Sequence, residues 1–343
     1  MKAFSLVALF VLQVPSLWAD DKADEGFFDP APKSAHPVRR LEPGSIFEAF
    51  RFDSVLPHKS DLSSLVRLQT PVKSQGRRGT CSMFSATGTL ESLIKIERNQ
   101  ELDLAENYLE YTVVTHMQPF PVEGSDTPTN VPAFTKYGTV LEETWPYEEY
   151  DWMGADLPAP ERVRAGMTCG SFTGTKKTRC LITHMSPDED KYEDSALDFR
   201  KDYGVGRLRY RVLQSEEAIK RRLLDNKPVI LSIEVFYGAW NHRLMVELGI
   251  GQRNMENWEQ GIVKNPTAQD IRLSRTKGAG HSIILVGYND EDQVYYFKNS
   301  WGSNSFGVRS DFLGSRSTSG YGSITYDYAN SHGTFYDVRL VQE

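Results

Sequence analysis

The sequence contains few cysteines, no internal repeat and no excess of positive charge. Only three cysteines occur among 343 residues, and 46 acidic side chains outnumber 39 lysines and arginines. The resulting net charge of −7 argues against a nucleic-acid-binding protein, because such proteins present basic surfaces to phosphate. The short basic cluster Lys73, Arg77 and Arg78 is explained more simply by solvation of a loop. We therefore expect no nucleic-acid partner.

Long apolar runs are also missing, except at the N-terminus. Lys2 precedes an apolar run at residues 3–14, and Ala19 stands just before two aspartates. This arrangement is typical of a secretory signal peptide, and the run is too short for a membrane-spanning helix. We expect residues 1–19 to direct export to the periplasm or the medium. We expect no membrane span in the mature chain.

Export to an oxidising compartment implies different oxidation states for the three cysteines. In an oxidising compartment, Cys169 and Cys180 can close a small disulfide loop, which leaves Cys81 as the odd thiol. Two reduced surface thiols are the alternative. A metal site that uses His184 as a third ligand is disfavoured, because the sequence offers no second ligand pair. We expect no metal site.

The most informative segment is residues 75–84, QGRRGTCSMF, where a loop leads into a helix. From Cys81 to about Arg98, apolar residues recur at steps of three and four, which predicts a helix with one buried face. Cys81 therefore lies in the first helical turn. Unsatisfied backbone N–H groups and the helix dipole favour a thiolate there and lower its pKa. Thr80 is expected to cap the helix.

A base for this thiol is expected far downstream, on a β-hairpin. A turn centred on Asp290 pairs Val286 with Val294 and places His281 directly opposite Asn299, on one face of the hairpin. A β-bulge would shift this register by one residue. The asparagine carbonyl can accept one imidazole N–H and fix the tautomer, so that the other ring nitrogen faces the thiol.

Helical patterns in the first half and β-branched runs in the second half predict an α+β fold. Besides the helix at Cys81, we expect helices at residues 106–114, 130–137 and 216–225. We expect strands at residues 229–235, 282–288, 294–297 and 322–328. The polar segments 151–212 and 241–277 are predicted to be insertions or elaborate loops.

These residues resemble the papain-like cysteine peptidases. The resemblance lies in five segments, in the family's order: residues 75–85, 137–147, 228–233, 281–288 and 299–302. It implies that Cys81 is the nucleophile, His281 the acid and base, and Asn299 the residue that orients the imidazole. It also implies that the side-chain amide of Gln75 donates to the oxyanion beside the Cys81 backbone N–H.

The resemblance further implies a two-subdomain fold and a substrate cleft. A leader, short prosegment or linker is expected at residues 20–54, before a peptidase domain at 55–343. That domain divides into a helical half at about 60–150, which contains the central nucleophile helix, the insertion at about 151–212, and an antiparallel β-barrel-like half at about 213–343. Four residues are assigned to substrate binding: Gly124, Ser125, Gly280 and Trp301. Trp301 is expected to shield the bond between His281 and Asn299 from water.

Four features depart from the family pattern. The glycine-rich segment that usually binds substrate backbone is represented only by residues 124–125. Arg78 stands where many relatives have a cysteine, so the disulfide usual beside the active site cannot form. Ser82 replaces the tryptophan that commonly follows the nucleophile, and Phe306 replaces a second tryptophan after Asn299. These changes alter the shape of the cleft and indicate a divergent, bacterial-type branch.

Two other functions fit the same residues. A catalytically silent binding or inhibitory homologue would keep the scaffold, although the intact triad argues against it. An acyl transferase or non-peptide amidase would use the same thioester chemistry. We expect a cysteine-type peptidase that acts on peptide or protein substrates and needs no metal or organic cofactor.

Overall fold

The computed structural model describes residues 56–117, 124–149, 173, 189–310, 312–313 and 318–341. The predicted signal peptide and the leader at 20–54 lie outside these residues. Cys169 and Cys180 also lie outside them, so the predicted disulfide belongs to a part of the chain that the structure does not describe.

The described chain contains helices before the strands of a single sheet and between them. The helices are α1 Leu62–Arg67, α2 Cys81–Arg98, α3 Glu106–Thr112, α4 Thr127–Tyr137, α5 Glu189–Asp202, α6 Glu216–Leu224, α7 Leu244–Glu247, α8 Met255–Glu259, α9 Ala268–Ser274 and α10 Tyr326–His332. The strands are β1 Leu208–Leu213, β2 Val229–Val235, β3 Ile262–Val263, β4 Ala279–Asn289, β5 Val294–Lys298, β6 Tyr321–Thr325 and β7 Gly333–Leu340. The predicted α+β fold is confirmed.

The seven strands form one sheet in the order β1-β7-β2-β4-β5-β6-β3. Every neighbouring pair is antiparallel except β3 and β6, which are parallel. Helix α2 packs against β4 and β2 on one side and against α3 and α4 on the other. The nucleophile helix therefore lies between the sheet and the other helices of the first half.

The predicted bounds of α2 are confirmed, but its burial is greater than the periodicity indicates. All residues from Cys81 to Ile94 are buried, including five serines and threonines and Glu91. A helix with one apolar stripe normally exposes its polar face. Here the polar residues are covered as well. Ser85 hydrogen-bonds Ser282 of β4, and Glu91 and Ser92 hydrogen-bond side chains of the segment at residues 69–73.

Two other helices differ from their predicted ends. The α4 helix begins at Thr127, three residues before its predicted start, because the Asp126 carboxylate accepts the backbone N–H of Thr129 and caps it. The α3 helix ends at Thr112 and continues as a π-helical turn over Val113–Met117. The predicted α6 is confirmed, with Ser215 as its N-cap.

The predicted register of the β4–β5 hairpin is wrong. Asn289 pairs with Val294, so the loop between them has four residues. Beyond a bulge between Leu285 and Gly287, the pairing changes by one residue. Gln293 closes the loop in the left-handed region at φ 53°. His281 does not lie directly opposite Asn299, because the longer loop shifts the pairing and the bulge reverses only one residue of that shift.

Other elements were not predicted, or were predicted as another type. The strand predicted over residues 322–328 ends at Thr325, and α10 follows it. The segment at 151–212, predicted as an insertion, contains α5 and most of β1, so the sheet begins before residue 213. Strand β7 escaped prediction because a buried Asp337 interrupts its apolar pattern, where it pairs with Arg222 and Arg211.

Candidate active site

Cys81 is the first residue of α2 and is 1% exposed. The helix begins on the Thr80 carbonyl, which accepts the N–H groups of Met83 at 2.8 Å and Phe84 at 3.2 Å. The Thr80 hydroxyl does not cap the helix, contrary to the prediction; it hydrogen-bonds the Tyr147 hydroxyl at 2.7 Å. The thiol therefore lies at a helix N-terminus, where the local dipole favours a negative charge.

His281 contacts Asn299 as the sequence predicts, although the strand register differs. The imidazole Nε2 lies 2.8 Å from Asn299 Oδ1, and that oxygen also accepts the backbone N–H of Ser300 at 2.9 Å. Both His281 and Asn299 are 3% exposed. Nδ1 of His281 is buried with no hydrogen-bond partner among the described residues. The asparagine thus holds one ring nitrogen and leaves the other available.

A pair of hydroxyl groups joins the start of α2 to the part of β4 that carries His281. Ser85 lies one turn after Cys81 on the same face of α2, and its Oγ is 2.7 Å from the Oγ of Ser282, the residue after His281. Both serines are buried. The nucleophile helix and the histidine strand are therefore in direct contact beside the two candidate catalytic residues.

Two tryptophans enclose the imidazole. The Trp301 ring stacks on His281, with centroids 4.7 Å apart and planes 24° apart. The Trp240 ring meets the imidazole edge to face at 5.3 Å and 82°. Trp301 is 1% exposed and Trp240 is fully buried. Trp301 therefore lies where the resemblance implies a shield, and Trp240 is a second wall that sequence reasoning missed, because no motif surrounds it.

A second aromatic layer supports these rings. Trp258 stacks on Trp301 at 5.6 Å and 18°, and Phe306 meets Trp301 edge to face at 5.3 Å. Trp258 belongs to α8, in the segment predicted as a polar insertion at 241–277. That segment therefore contributes a wall of the site, and Phe306 lies where the resemblance implies a second tryptophan.

Burial among these rings disfavours a charged imidazole. Desolvation lowers the pKa of His281 to about 4, against an ordinary value of 6.5, and the hydrogen bond that the imidazole donates to Asn299 only partly opposes the shift. A neighbouring anion has the opposite effect and raises the pKa of an imidazole. A thiolate on Cys81 is such an anion, so the two side chains would hold their charges only as a pair.

Gln75 is fully buried and tied to the segment that follows Asn299. Its backbone N–H donates to the Ser300 carbonyl at 2.9 Å, and its Oε1 accepts the Ser300 hydroxyl at 2.7 Å. Its Nε2 donates to the carbonyl of Arg78 at 2.7 Å. A primary amide nitrogen carries two N–H groups, so this contact uses one of them.

The residue implied to bind substrate backbone, Ser125, is held by Ser82. The backbone N–H of Ser125 donates to Ser82 Oγ at 3.0 Å, and the Asn130 side chain donates to the Ser82 carbonyl at 2.9 Å. Gly124 adopts φ 79°, which favours glycine. The serine that replaces the family's tryptophan therefore anchors the segment at Gly124. Gly280 lies in β4, paired with Glu234 of β2.

A buried charge cluster lies beneath α2. Lys73 Nζ is 2.9 Å from Glu91 and 3.0 Å from Glu106. Burial opposes the charge of Lys73, but these carboxylates raise its pKa. Burial lowers the pKa of Lys298, the neighbour of Asn299, to about 8, and its ammonium donates to a threonine hydroxyl. The prediction that Lys73 solvates a loop is wrong, because the lysine is half-buried and its charge is paired with these carboxylates.

A sequence profile of the papain family cysteine proteases matches residues 56–320. The chain belongs to the papain family of cysteine proteases. This confirms the resemblance that the five motifs carry. Among the residues that the structure describes, no helix is both long enough and apolar enough to cross a membrane.

Two cathepsins resemble this papain-family protein at about a quarter of the aligned positions. The chain is 25% identical to a viral cathepsin of Adoxophyes honmai nucleopolyhedrovirus over 237 residues, which is 68% of this chain and 50% of the relative. It is 26% identical to pro-cathepsin H of Bos taurus over 251 residues, or 71% of this chain and 55% of the relative. The matches thus cover about half the length of these two relatives.

Solved structures share the papain fold at low identity. A cysteine protease from Xylella fastidiosa, Xylellain, superposes with a TM-score of 0.54 at 19% identity, covering 95% of this chain and 100% of that protein. The proform of a ragweed pollen cysteine protease, Amb a 11, gives a TM-score of 0.50 at 16% identity, covering 88% and 72%. At such identities the likeness concerns the fold alone.

Proposed function

We propose that this papain-family protein hydrolyses peptide bonds in peptides or proteins. In this proposal Cys81 is the nucleophile, His281 the acid and base, and Asn299 the orienting residue. The observation that carries it is the 2.8 Å hydrogen bond between His281 Nε2 and Asn299 Oδ1, which leaves Nδ1 for proton transfer. The position of Cys81 in the first turn of α2 supports a thiolate there.

The reaction proceeds in two halves. The Cys81 thiolate attacks the peptide carbonyl carbon, and the oxyanion accepts hydrogen bonds from the Cys81 backbone N–H and the second N–H of Gln75. The imidazolium of His281 protonates the leaving amine as the C–N bond breaks, which leaves a thioester. The neutral imidazole then takes a proton from water, the oxygen attacks the thioester, and the C–S bond breaks to restore the thiolate and the imidazolium.

Alkylation of Cys81 by iodoacetamide at pH 5.5 tests the proposal, with peptide-level mass spectrometry on wild type and on His281→Ala. An ordinary thiol is only about 0.1% thiolate at this pH. We expect fast labelling in wild type and slow labelling in the variant. Cys169 and Cys180, after reduction, provide ordinary thiols for comparison in the same sample.

Turnover of a fluorogenic peptide library completes the test. Wild type should release free acid, and Cys81→Ala should release none while keeping its melting temperature. Full activity in Cys81→Ala would refute the proposed mechanism. A new amide linkage in the products, in place of free acid, would show an acyl transferase that uses the same thioester.

A silent binding homologue is the second candidate, and one observation favours it. The resemblance assigns Gly124 and Ser125 to the substrate backbone, together with Gly280 and Trp301, yet the Ser125 N–H donates to Ser82. Slow alkylation of Cys81 in both proteins, with peptide binding but no turnover, would select this function.

We also propose that the protein is exported and that its peptidase domain begins near residue 55. The basic and apolar character of residues 1–19 supports export. Mass spectrometry of the protein recovered from the medium or periplasm should find a chain that lacks residues 1–19. The same sample, analysed without reductant, should contain a peptide that links Cys169 to Cys180, and free thiols at both positions would discard that bridge.

A further inference from the structure

Arg78 is a buried cation in the loop that leads to Cys81. It is 1% exposed, and its guanidinium forms an ion pair with the fully buried carboxylate of Glu110 on α3. The prediction that Arg78 merely solvates a loop is therefore wrong. A buried arginine remains charged, so it requires a partner and hydrogen bonds in fixed directions.

The guanidinium joins three segments of the chain. Besides Glu110, its Nη1 donates to Asn107 Oδ1 at 3.1 Å and to the carbonyl of Glu148 at 2.8 Å. Its carbon lies 5.2 Å from the centre of the Tyr147 ring. The planar donor fork therefore fixes the nucleophile loop against α3 and against the segment at Glu148, with several directional contacts from a single side chain.

The backbone of Arg78 touches the candidate oxyanion donor. Its carbonyl accepts the side-chain N–H of Gln75 at 2.7 Å, and its own N–H donates to the Gln75 carbonyl at 3.4 Å. The Tyr147 hydroxyl also donates to the Gln75 carbonyl, at 2.9 Å. The direction of one amide N–H thus depends on where Arg78 is held, and the planarity of the amide then fixes the second N–H.

We propose that Arg78 is a positioning residue for the oxyanion site. Its buried ion pair holds the Arg78 carbonyl, the carbonyl orients the Gln75 amide, and the second amide N–H is then aimed at the oxyanion. In the relatives that have a cysteine at this position a disulfide can restrain the loop; here a charge pair does so. The inference rests on the proposed peptidase function and concerns the transition state more than substrate binding.

A double-mutant cycle between Arg78→Met and Gln75→Ala tests this coupling, with kcat and KM measured on one fluorogenic peptide that wild type cleaves. Loss of one oxyanion donor lowers kcat by roughly 100-fold, and misplacement of a catalytic group can cost as much. We expect Arg78→Met to lower kcat at least about 10-fold with KM within about twofold. In the Gln75→Ala background, Arg78→Met should change kcat by less than about twofold.

Two further variants separate positioning from folding. Arg78→Met combined with Glu110→Leu removes both charges, so that no buried carboxylate is left unpaired. Tyr147→Phe keeps the ion pair and removes only the hydroxyl that contacts Gln75 and Thr80. Both should fold, as circular dichroism and melting will show, and both should lower kcat more than they change KM.

The control is a second ion pair on a buried carboxylate, that of the half-buried Arg222 with Asp337, whose atoms lie 2.7 Å apart. Asp337 pairs with Val229 at one end of β2, whereas His281 pairs with Ile233 towards the other end. Arg222→Met should therefore reduce stability and leave kcat per folded molecule unchanged.

Each outcome has a distinct meaning. If the fold-losses of kcat in Arg78→Met and Gln75→Ala multiply in the double variant, the inference is overturned, because Arg78 would then not act through Gln75. An unchanged kcat in folded Arg78→Met/Glu110→Leu would overturn it too. Absence of turnover by wild type, or full turnover by Cys81→Ala, would instead refute the proposed peptidase function itself.

Discussion

The nucleophile and the imidazole come from two regions that hold their residues by different means. Around Cys81, buried polar and charged groups predominate, with Arg78 paired to Glu110. Around His281, aromatic rings predominate, with Trp301 on one face and Trp240 against the ring. The nucleophile side thus depends on the partners of its charges, and the imidazole side depends on the exclusion of water.

The two kinds of support respond differently to change. A buried ion pair is weak evidence for stability, but it becomes costly when one partner is removed. An aromatic enclosure contains no charge to lose. Instead it excludes water and lowers the pKa of the imidazole that it encloses. Substitutions on the nucleophile side should therefore act mainly through stability and geometry, and changes of pH should act mainly on the imidazole side.

The largest expected effect comes from breaking the pair on the nucleophile side. Glu110→Gln leaves the Arg78 guanidinium buried without its counter-charge, which should lower the free energy of unfolding by about 3–5 kcal/mol. Urea denaturation at pH 7 measures this loss. The matched control is Glu217→Gln, whose exposed pair with Arg221 should be worth no more than about 1 kcal/mol. Similar losses in the two variants would show that the buried pair contributes no more to the free energy of unfolding than an exposed pair.

On the imidazole side, pH gives the next largest effect. In Cys81→Ala no thiolate can offset desolvation, so the pKa of His281 should be about 4 in the folded protein and near 6.5 in the unfolded chain. Because the pKa is lower in the folded protein, the unfolded chain binds a proton first as the pH falls. The free energy of unfolding is therefore unaffected above pH 6.5 and decreases as the pH falls towards 4. The loss should reach about 3 kcal/mol at pH 4.

The control for that prediction is Cys81→Ala/His281→Gln, which lacks the titrating imidazole. Denaturation curves at pH 7, 5 and 4 should diverge between the two proteins by the stated amount, because all other titrating groups are common to both. Parallel curves would mean that the aromatic enclosure does not desolvate His281.

The same division explains what the sequence could predict. The bounds of α2 were predictable because its apolar residues recur with a helical period over the whole length of the helix. The contact between His281 and Asn299 was predictable from motif residues, although the register of their hairpin was not. Register depends on loop length and on the bulge near Leu285, and neither leaves a clear pattern in sequence.

The supporting residues of both sides escaped sequence reasoning. The sequence predicts a surface cation at Arg78, since charged residues are almost never buried unless paired, and its partner lies far along the chain in α3. Trp240 and Trp258 carry no motif, and Trp258 comes from a segment whose composition is polar. Residues 326–328 favour a strand by composition, but tertiary packing places Tyr328 in α10, where its hydroxyl accepts the N–H groups of Phe236 and Trp240.

The smallest expected effect concerns the contact between the two sides. The hydroxyl pair of Ser85 and Ser282 joins α2 to β4 at 2.7 Å, and a buried neutral hydrogen bond contributes about 1 kcal/mol. A double-mutant cycle of Ser85→Ala and Ser282→Ala should therefore show a coupling near that value in urea denaturation. Ser92→Ala, two turns further along α2, should be additive with Ser282→Ala within about 0.5 kcal/mol. If both cycles are additive, the hydroxyl pair does not hold the nucleophile helix against the histidine strand, and the hydrogen bonds that join the two sides include those of Gln75 with Ser300.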